Sequence, residues 1–201
     1  MRKYLILIAL SVLFLVGCKD PNSVSVISPI VKTGLTEKTV SFLKLPASLE
    51  QRSLNKKGSF LVTPQGGGNI EFKDSYLSAY GKVSFNIDLY FPPNSVTDSI
   101  YVFINLSQDA LTGEIGVNFG PTPTYFLIPA LLTFTVKGLD PLTLPSNPGN
   151  IQFVYMDNGN YIPMKAASIS VDVKHGSLSI VNGELPHFSR YGWSTIDTPV
   201  Y

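Results

Sequence analysis

From Lys82 to Leu89 the chain reads Lys-Val-Ser-Phe-Asn-Ile-Asp-Leu, apolar and polar residues alternating without a slip. A period of two belongs to a strand with one face in a core and the other in water. It predicts Val83, Phe85, Ile87 and Leu89 on a single buried face. Phe91-Pro92-Pro93-Asn94 then breaks the ladder, because proline brings no N–H donor.

The same grammar recurs along the chain. Thr39 to Leu45 is expected as a strand ended by Pro46, and Pro46 to Leu54 as the one short helix. Phe60-Leu61-Val62 leads to Gly66-Gly67-Gly68, a turn that needs permissive backbone, after which Ile70 and Phe72 resume a strand. Ser99 to Ser107 is expected as a strand buried on both sides at Val102-Phe103-Ile104. Ile115, Val117 and Phe119 alternate up to Gly120-Pro121, and Leu132 to Lys137 alternates again before a proline-rich loop from Leu139 to Gly149. Ile151 to Met156 and Tyr161 to Met164 flank Asp157-Asn158-Gly159-Asn160, and Asn-Gly between strands is a strong hairpin signal. Ile169, Val171 and Val173 alternate, His175-Gly176 turns, and Leu178 and Ile180 return. With 16 Gly, 15 Pro, 12 Phe and 10 Tyr, the chain reads as short strands separated by many turns. That pattern predicts an all-β fold, a single antiparallel β-sandwich.

The amino terminus follows other rules. Arg2 and Lys3 precede a short apolar run, Tyr4 to Val16, which leads into Leu15-Val16-Gly17-Cys18. The run is too short for a bilayer core, which needs about 20 apolar residues. A basic start, a short apolar stretch and small residues near a cut mark a secretory signal. The chain has a single cysteine, and it stands at the lipidation position. The segment resembles a bacterial lipoprotein signal, which implies cleavage before Cys18 and acyl chains on its sulfur. The expected organisation is a leader over 1–17, a lipid-anchored tether over 18–38 and a domain over 39–201. Asp20 to Gly34, rich in Pro, Ser and Val, suits a tether, although Val24, Val26 and Ile30 could also pair as an edge strand. The residue after the cysteine is Lys19, not aspartate, which leans towards the outer membrane by the enteric sorting rule.

Arg2 and Lys3 leave with the leader, so basic residues fall from 15 to 13 against 14 acidic ones. Such balance argues against a nucleic-acid partner. No cysteine remains for a disulfide within the domain, so its stability must come from burial and strand pairing.

Several landmarks occur in order: Gly66-Gly67-Gly68, Phe91-Pro92-Pro93, Gly120-Pro121 with Phe126 and Pro129-Ala130, and His187-Phe188-Ser189-Arg190-Tyr191. In this order they resemble the ZU-five domain, a β-sandwich module of scaffold and receptor proteins, over about 60–193. The turn after Pro92-Pro93 departs from the family's usual Gly-Ala. Some ZU-five-like domains cut themselves between Phe and Ser of such a triplet. The resemblance implies Ser189 attacking the Phe188 carbonyl, with His187 as general base and the amide converted to an ester that water opens. Pro186 and Gly192 are expected to help hold a strained turn there. The plainer reading has Phe188 and Tyr191 filling core and edge positions, with His187 and Ser189 facing solvent or satisfying backbone groups.

Other constellations are weaker. His175 beside Gly176 reads as a surface turn residue, and two histidines with no domain cysteine leave no expected metal site or cofactor. Asp157-Asn158-Gly159-Asn160 resembles half a calcium loop without its bidentate Glu. Gly66-Gly67-Gly68 lacks the Lys and Ser or Thr of a phosphate loop. Tyr76, Tyr80, Tyr90 and Tyr101 could form an exposed platform for a glycan or peptide, or pack as strand neighbours. The leading expectation is a structural or protein-interaction module with no turnover chemistry. It would be held at the membrane through Cys18, with an envelope protein or glycan as partner. Self-cleavage and carbohydrate binding stand as alternatives.

Overall fold

A computed structural model describes residues 39–49, 55–108, 115–157 and 160–197, all within one compact unit, Thr36–Tyr201. Cys18 and the expected leader and tether lie outside the described residues, as do 50–54, 109–114 and Asn158-Gly159, where a hairpin turn is expected.

The strands are β1 (Thr39–Phe42), β2 (Asn55–Val62), β3 (Gly68–Ser78), β4 (Gly81–Phe91), β5 (Ile100–Gln108) and β6 (Ile115–Gly120). They continue with β7 (Tyr125–Lys137), β8 (Ile151–Asp157), β9 (Asn160–Pro163), β10 (Ser168–Asp172), β11 (Ser177–His187) and β12 (Arg190–Asp197). The first sheet runs β2-β5-β6-β12-β8-β9, with β1 also on β12. The second runs β10-β11-β7-β4-β3. All pairings are antiparallel, and the two sheets pack as a β-sandwich.

The alternating segments place their apolar residues inward, as expected. Val83, Ile87 and Leu89 are fully buried and Phe85 nearly so. Leu132, Phe134 and Val136 of β7 and Leu178 and Ile180 of β11 lie beside them on the same inner face. The first sheet answers with Val102, Ile104, Leu106, Val117, Phe119, Phe153, Tyr191 and Trp193. The edge-to-face contact of Phe153 with Phe134 (5.8 Å) joins the two layers, and Phe153 also meets Trp193 (5.1 Å) within the first sheet.

Three expectations are corrected. The segment from Pro46 is not helical over its described part: Ser48 bridges Ser78, and Leu49 N–H donates to the Leu77 carbonyl. Backbone pairing with β3 outweighs a weak local preference. Residues 43–49 instead close one end of the sandwich, with Leu43 and Leu45 buried. The described helical turns are 3-10 turns, Pro141–Thr143 and Pro148–Asn150, inside the proline-rich loop. The third correction concerns β5, where Val102 and Ile104 are buried but Phe103 is 48% exposed. The outer face of an antiparallel sheet can remain in water, so an apolar run need not be buried on both sides.

Candidate functional site

β11 belongs to the second sheet and β12 to the first, so the chain changes layers at Phe188-Ser189. The pairing of β11 with β7 slips between Leu185 and His187, where Pro186 stands. The crossover is tied on both sides: Phe188 N–H donates to Thr124 O (2.9 Å), and Phe119 N–H donates to Ser189 O (3.2 Å). Tyr191 hydroxyl donates to His187 O (2.5 Å). Phe188 is 3% exposed and stands among Phe126 (centroids 4.8 Å), Phe91 (6.1 Å) and Phe119 (6.1 Å). It plugs one end of the core.

His187 lies half-buried between the rings of Tyr125 and Tyr155, each 5.4 Å from its own. Its Nδ1 is 3.2 Å from the Phe188 carbonyl oxygen. A carbonyl oxygen only accepts, so Nδ1–H is the donor and the imidazole polarises the carbonyl. The contact sets Nδ1 against the oxygen of the Phe188–Ser189 peptide bond. The strain expected at the triplet is absent in its left-handed form. Positive φ at non-glycine residues falls on Asn94 and Asn182 among the described residues, and Gly192 sits within β12, paired with Val154.

The landmarks scattered along the sequence meet around this plug. The Gly66-Gly67-Gly68 turn lies against Phe91-Pro92-Pro93, and Asn94 N–H donates to Pro64 O (2.6 Å). Phe126 stacks edge-to-face on both Phe91 and Phe188. Beside the plug opens a cleft of 480 Å³ whose walls include His187, Ser189, Asn118, Thr122 and Arg190. Comparison with family models, with curated proteins and with solved structures finds no match.

Sequence reasoning missed most of the cleft wall. Phe103, Asn118, Thr122, Thr124 and Tyr125 carry no motif, and only folding brings them together. A larger depression of 590 Å³ lies on the outer face of the second sheet, where Lys73, Asn86, Thr135 and Lys137 present ammonium, amide and hydroxyl groups. The tyrosine platform is not formed. Tyr76 is buried, Tyr80 and Tyr90 belong to the second sheet region, and Tyr101 is on β5 of the first. His175 is the surface residue expected, its Nδ1 2.7 Å from Asp172 Oδ2. That hydrogen bond holds the Asp172 carboxyl below its ordinary range. Among the described residues no group of three or more His, Cys, Asp or Glu is placed to hold a metal ion.

Proposed function

We propose that this chain is a lipid-anchored cell-envelope protein, with a ZU-five-like β-sandwich acting as a structural or protein-interaction module without turnover chemistry. The observation that carries the interaction role is the first half of β7. β4 pairs with β7 only from Leu131 onward, so Tyr125 to Ala130 run past it. There Leu127 is 70% and Ile128 43% exposed. Consecutive strand residues point to opposite faces, so Leu127 lies on the outer side, while Ile128 is exposed on the side where Phe126 and Ala130 turn to the core. An uncovered apolar stretch on a rigid strand suits a protein partner. The anchoring rests on the sequence before Cys18. Twenty residues lie between Cys18 and Thr39, so the reach over those twenty-one steps is at most about 70–75 Å at 3.3–3.6 Å per residue. Partners would thus lie near the membrane, and Lys19 after the cysteine favours the outer one.

Two measurements test this reading. Labelled palmitate should enter the wild-type protein and not Cys18→Ala in a host with the processing enzymes; no label on the wild type would end the anchoring claim. A photo-cross-linker at position 127, used in intact cells, should join the protein to one defined envelope protein. Leu127→Asp with Ile128→Asp should release that partner while leaving the melting temperature unchanged. Cross-links spread over many abundant proteins would remove the interaction claim.

A second reading is favoured by one contact, His187 Nδ1 beside the Phe188 carbonyl. In it the domain cuts itself once: Ser189 Oγ attacks the Phe188 carbonyl carbon, the C–N bond breaks, the Ser189 nitrogen takes up a proton, and water opens the resulting ester. β12 is paired with β8 on one edge and with β6 and β1 on the other, so the cut piece would stay docked. Intact mass under denaturing conditions therefore decides it. A fragment ending at Phe188, absent in Ser189→Ala, would establish cleavage, and a single full-length species would dismiss it.

A further inference from the structure

The cleft beside the crossover draws one aromatic ring from each sheet. Phe103 stands on the outer face of β5, and its ring covers Gly120 so closely that a Cβ there would lie 2.1 Å from Cζ. With half its surface exposed, the ring turns its other face to solvent. Tyr125, 75% exposed, comes from the start of β7. Asn118, Thr122, Thr124 and Arg190 line the same cleft and bring an amide and two hydroxyls, while the Arg190 guanidinium lies over the Phe42 ring (5.0 Å). Thr124 Oγ1 donates to Pro121 O and keeps its lone pairs for an incoming donor. Register extends the polar wall into a row across four strands, Lys57–Asn105–Asn118–Arg190. In that row Asn105 Oδ1 is buried with no hydrogen-bond partner among the described residues. It is an acceptor that a ligand hydroxyl over the row would satisfy after a small turn of the amide.

We propose that this cleft is a saccharide-binding site. The proposal is independent of the anchoring and interaction roles given above. A pyranose presents C–H groups on one face and hydroxyls around its rim. The C–H face suits the electron-rich face of Phe103 or Tyr125, and the rim suits an amide and two hydroxyls. The cleft volume of 480 Å³ falls in the range of small-molecule sites, about 300–1,000 Å³. A peptide adding as a strand would need a free edge, and the β5–β6 wall of the cleft has none. β5 lies between β2 and β6, and β6 between β5 and β12, so neither offers an edge at this point.

The test is titration of the purified full-length chain with maltotriose, chitotriose and trigalacturonate, followed by calorimetry and by amide chemical shifts. Saturable binding of at least one sugar is expected, with shifts concentrated at Asn118, Thr122, Thr124 and Arg190. Asn118→Ala and Tyr125→Ala should each weaken it about tenfold, while Leu142→Ala, a fully surface site in the proline-rich loop, should leave it unchanged. The exposure of Tyr125 protects that variant from folding failure, and unaltered melting confirms it. No saturable binding of any of the three at millimolar concentration overturns the proposal. So does binding that both variants leave intact, or shifts confined to the lysine-lined face of the second sheet.

Discussion

A Cβ placed on Gly67 would stand 2.1 Å from the carbonyl oxygen of Phe91. Gly67 also has φ +61°, a left-handed conformation that side chains disfavour. The two residues lock the β2–β3 turn against the end of β4, and the loop after β4 answers with Asn94 N–H on Pro64 O.

Gly67→Ala should therefore be costly although it adds one methyl group. Left-handed backbone alone costs about 1–3 kcal/mol, and the clash with a backbone carbonyl adds to it. Gly81 provides the control. It too has positive φ (110°), but nothing lies within 4 Å of its Cβ position. Urea unfolding should show Gly67→Ala losing clearly more stability than Gly81→Ala, and equal losses would refute the locked turn.

Phe188→Ala removes the ring shared by Phe91, Phe119 and Phe126. A cavity left by such a ring costs about 3–5 kcal/mol. Denaturant midpoints check it, and a loss near zero would mean that the crossover does not plug the core.

Tyr76 couples stability to alkaline pH. Its hydroxyl donates to Pro46 O (2.7 Å), and burial pushes its pKa from 10.0 up to about 12. The folded state favours the neutral phenol, so this contribution is whole below pH 10 and is lost as pH rises to about 12. Tyr76→Phe should flatten the fall in stability over that window. It should also cost about 1–3 kcal/mol at neutral pH, because the Pro46 carbonyl loses its donor. Melting curves across the pH range read both effects.

Phe85→Asp puts a carboxylate on the face shared with Val83, Ile87 and Leu89, against Val136 of β7. An isolated buried charge has no compensating partner there. The variant should show no cooperative melt, and a wild-type melting curve would contradict the inward assignment of this strand.

The Val102-Phe103-Ile104 run and the tyrosines show how far local pattern reaches. Alternation identified β4, β6 and the second half of β7, because side-chain direction in a strand depends only on position. It could not tell that Phe103 faces water, since that depends on whether anything covers the outer face of β5. It also extended no strand across Tyr125 to Leu131, where apolar residues run on without a period.

By itself the amino-acid order determined that the domain is built of strands, where most of them lie and which side chains of the alternating segments turn inward. It also marked His187-Phe188-Ser189 and the short apolar run before Cys18. Only the tertiary structure decided which sheet each strand joins, for Thr39 pairs with Asp197 and Lys73 with Asn86, partners at very different separations. It buried Tyr76, set Tyr101 on the opposite sheet from Tyr90, and gathered Phe91, Phe119, Phe126 and Phe188 around one plug. The reason is physical: inward or outward is settled by neighbours along the chain, whereas a cleft is made by residues that meet only after distant strands have paired.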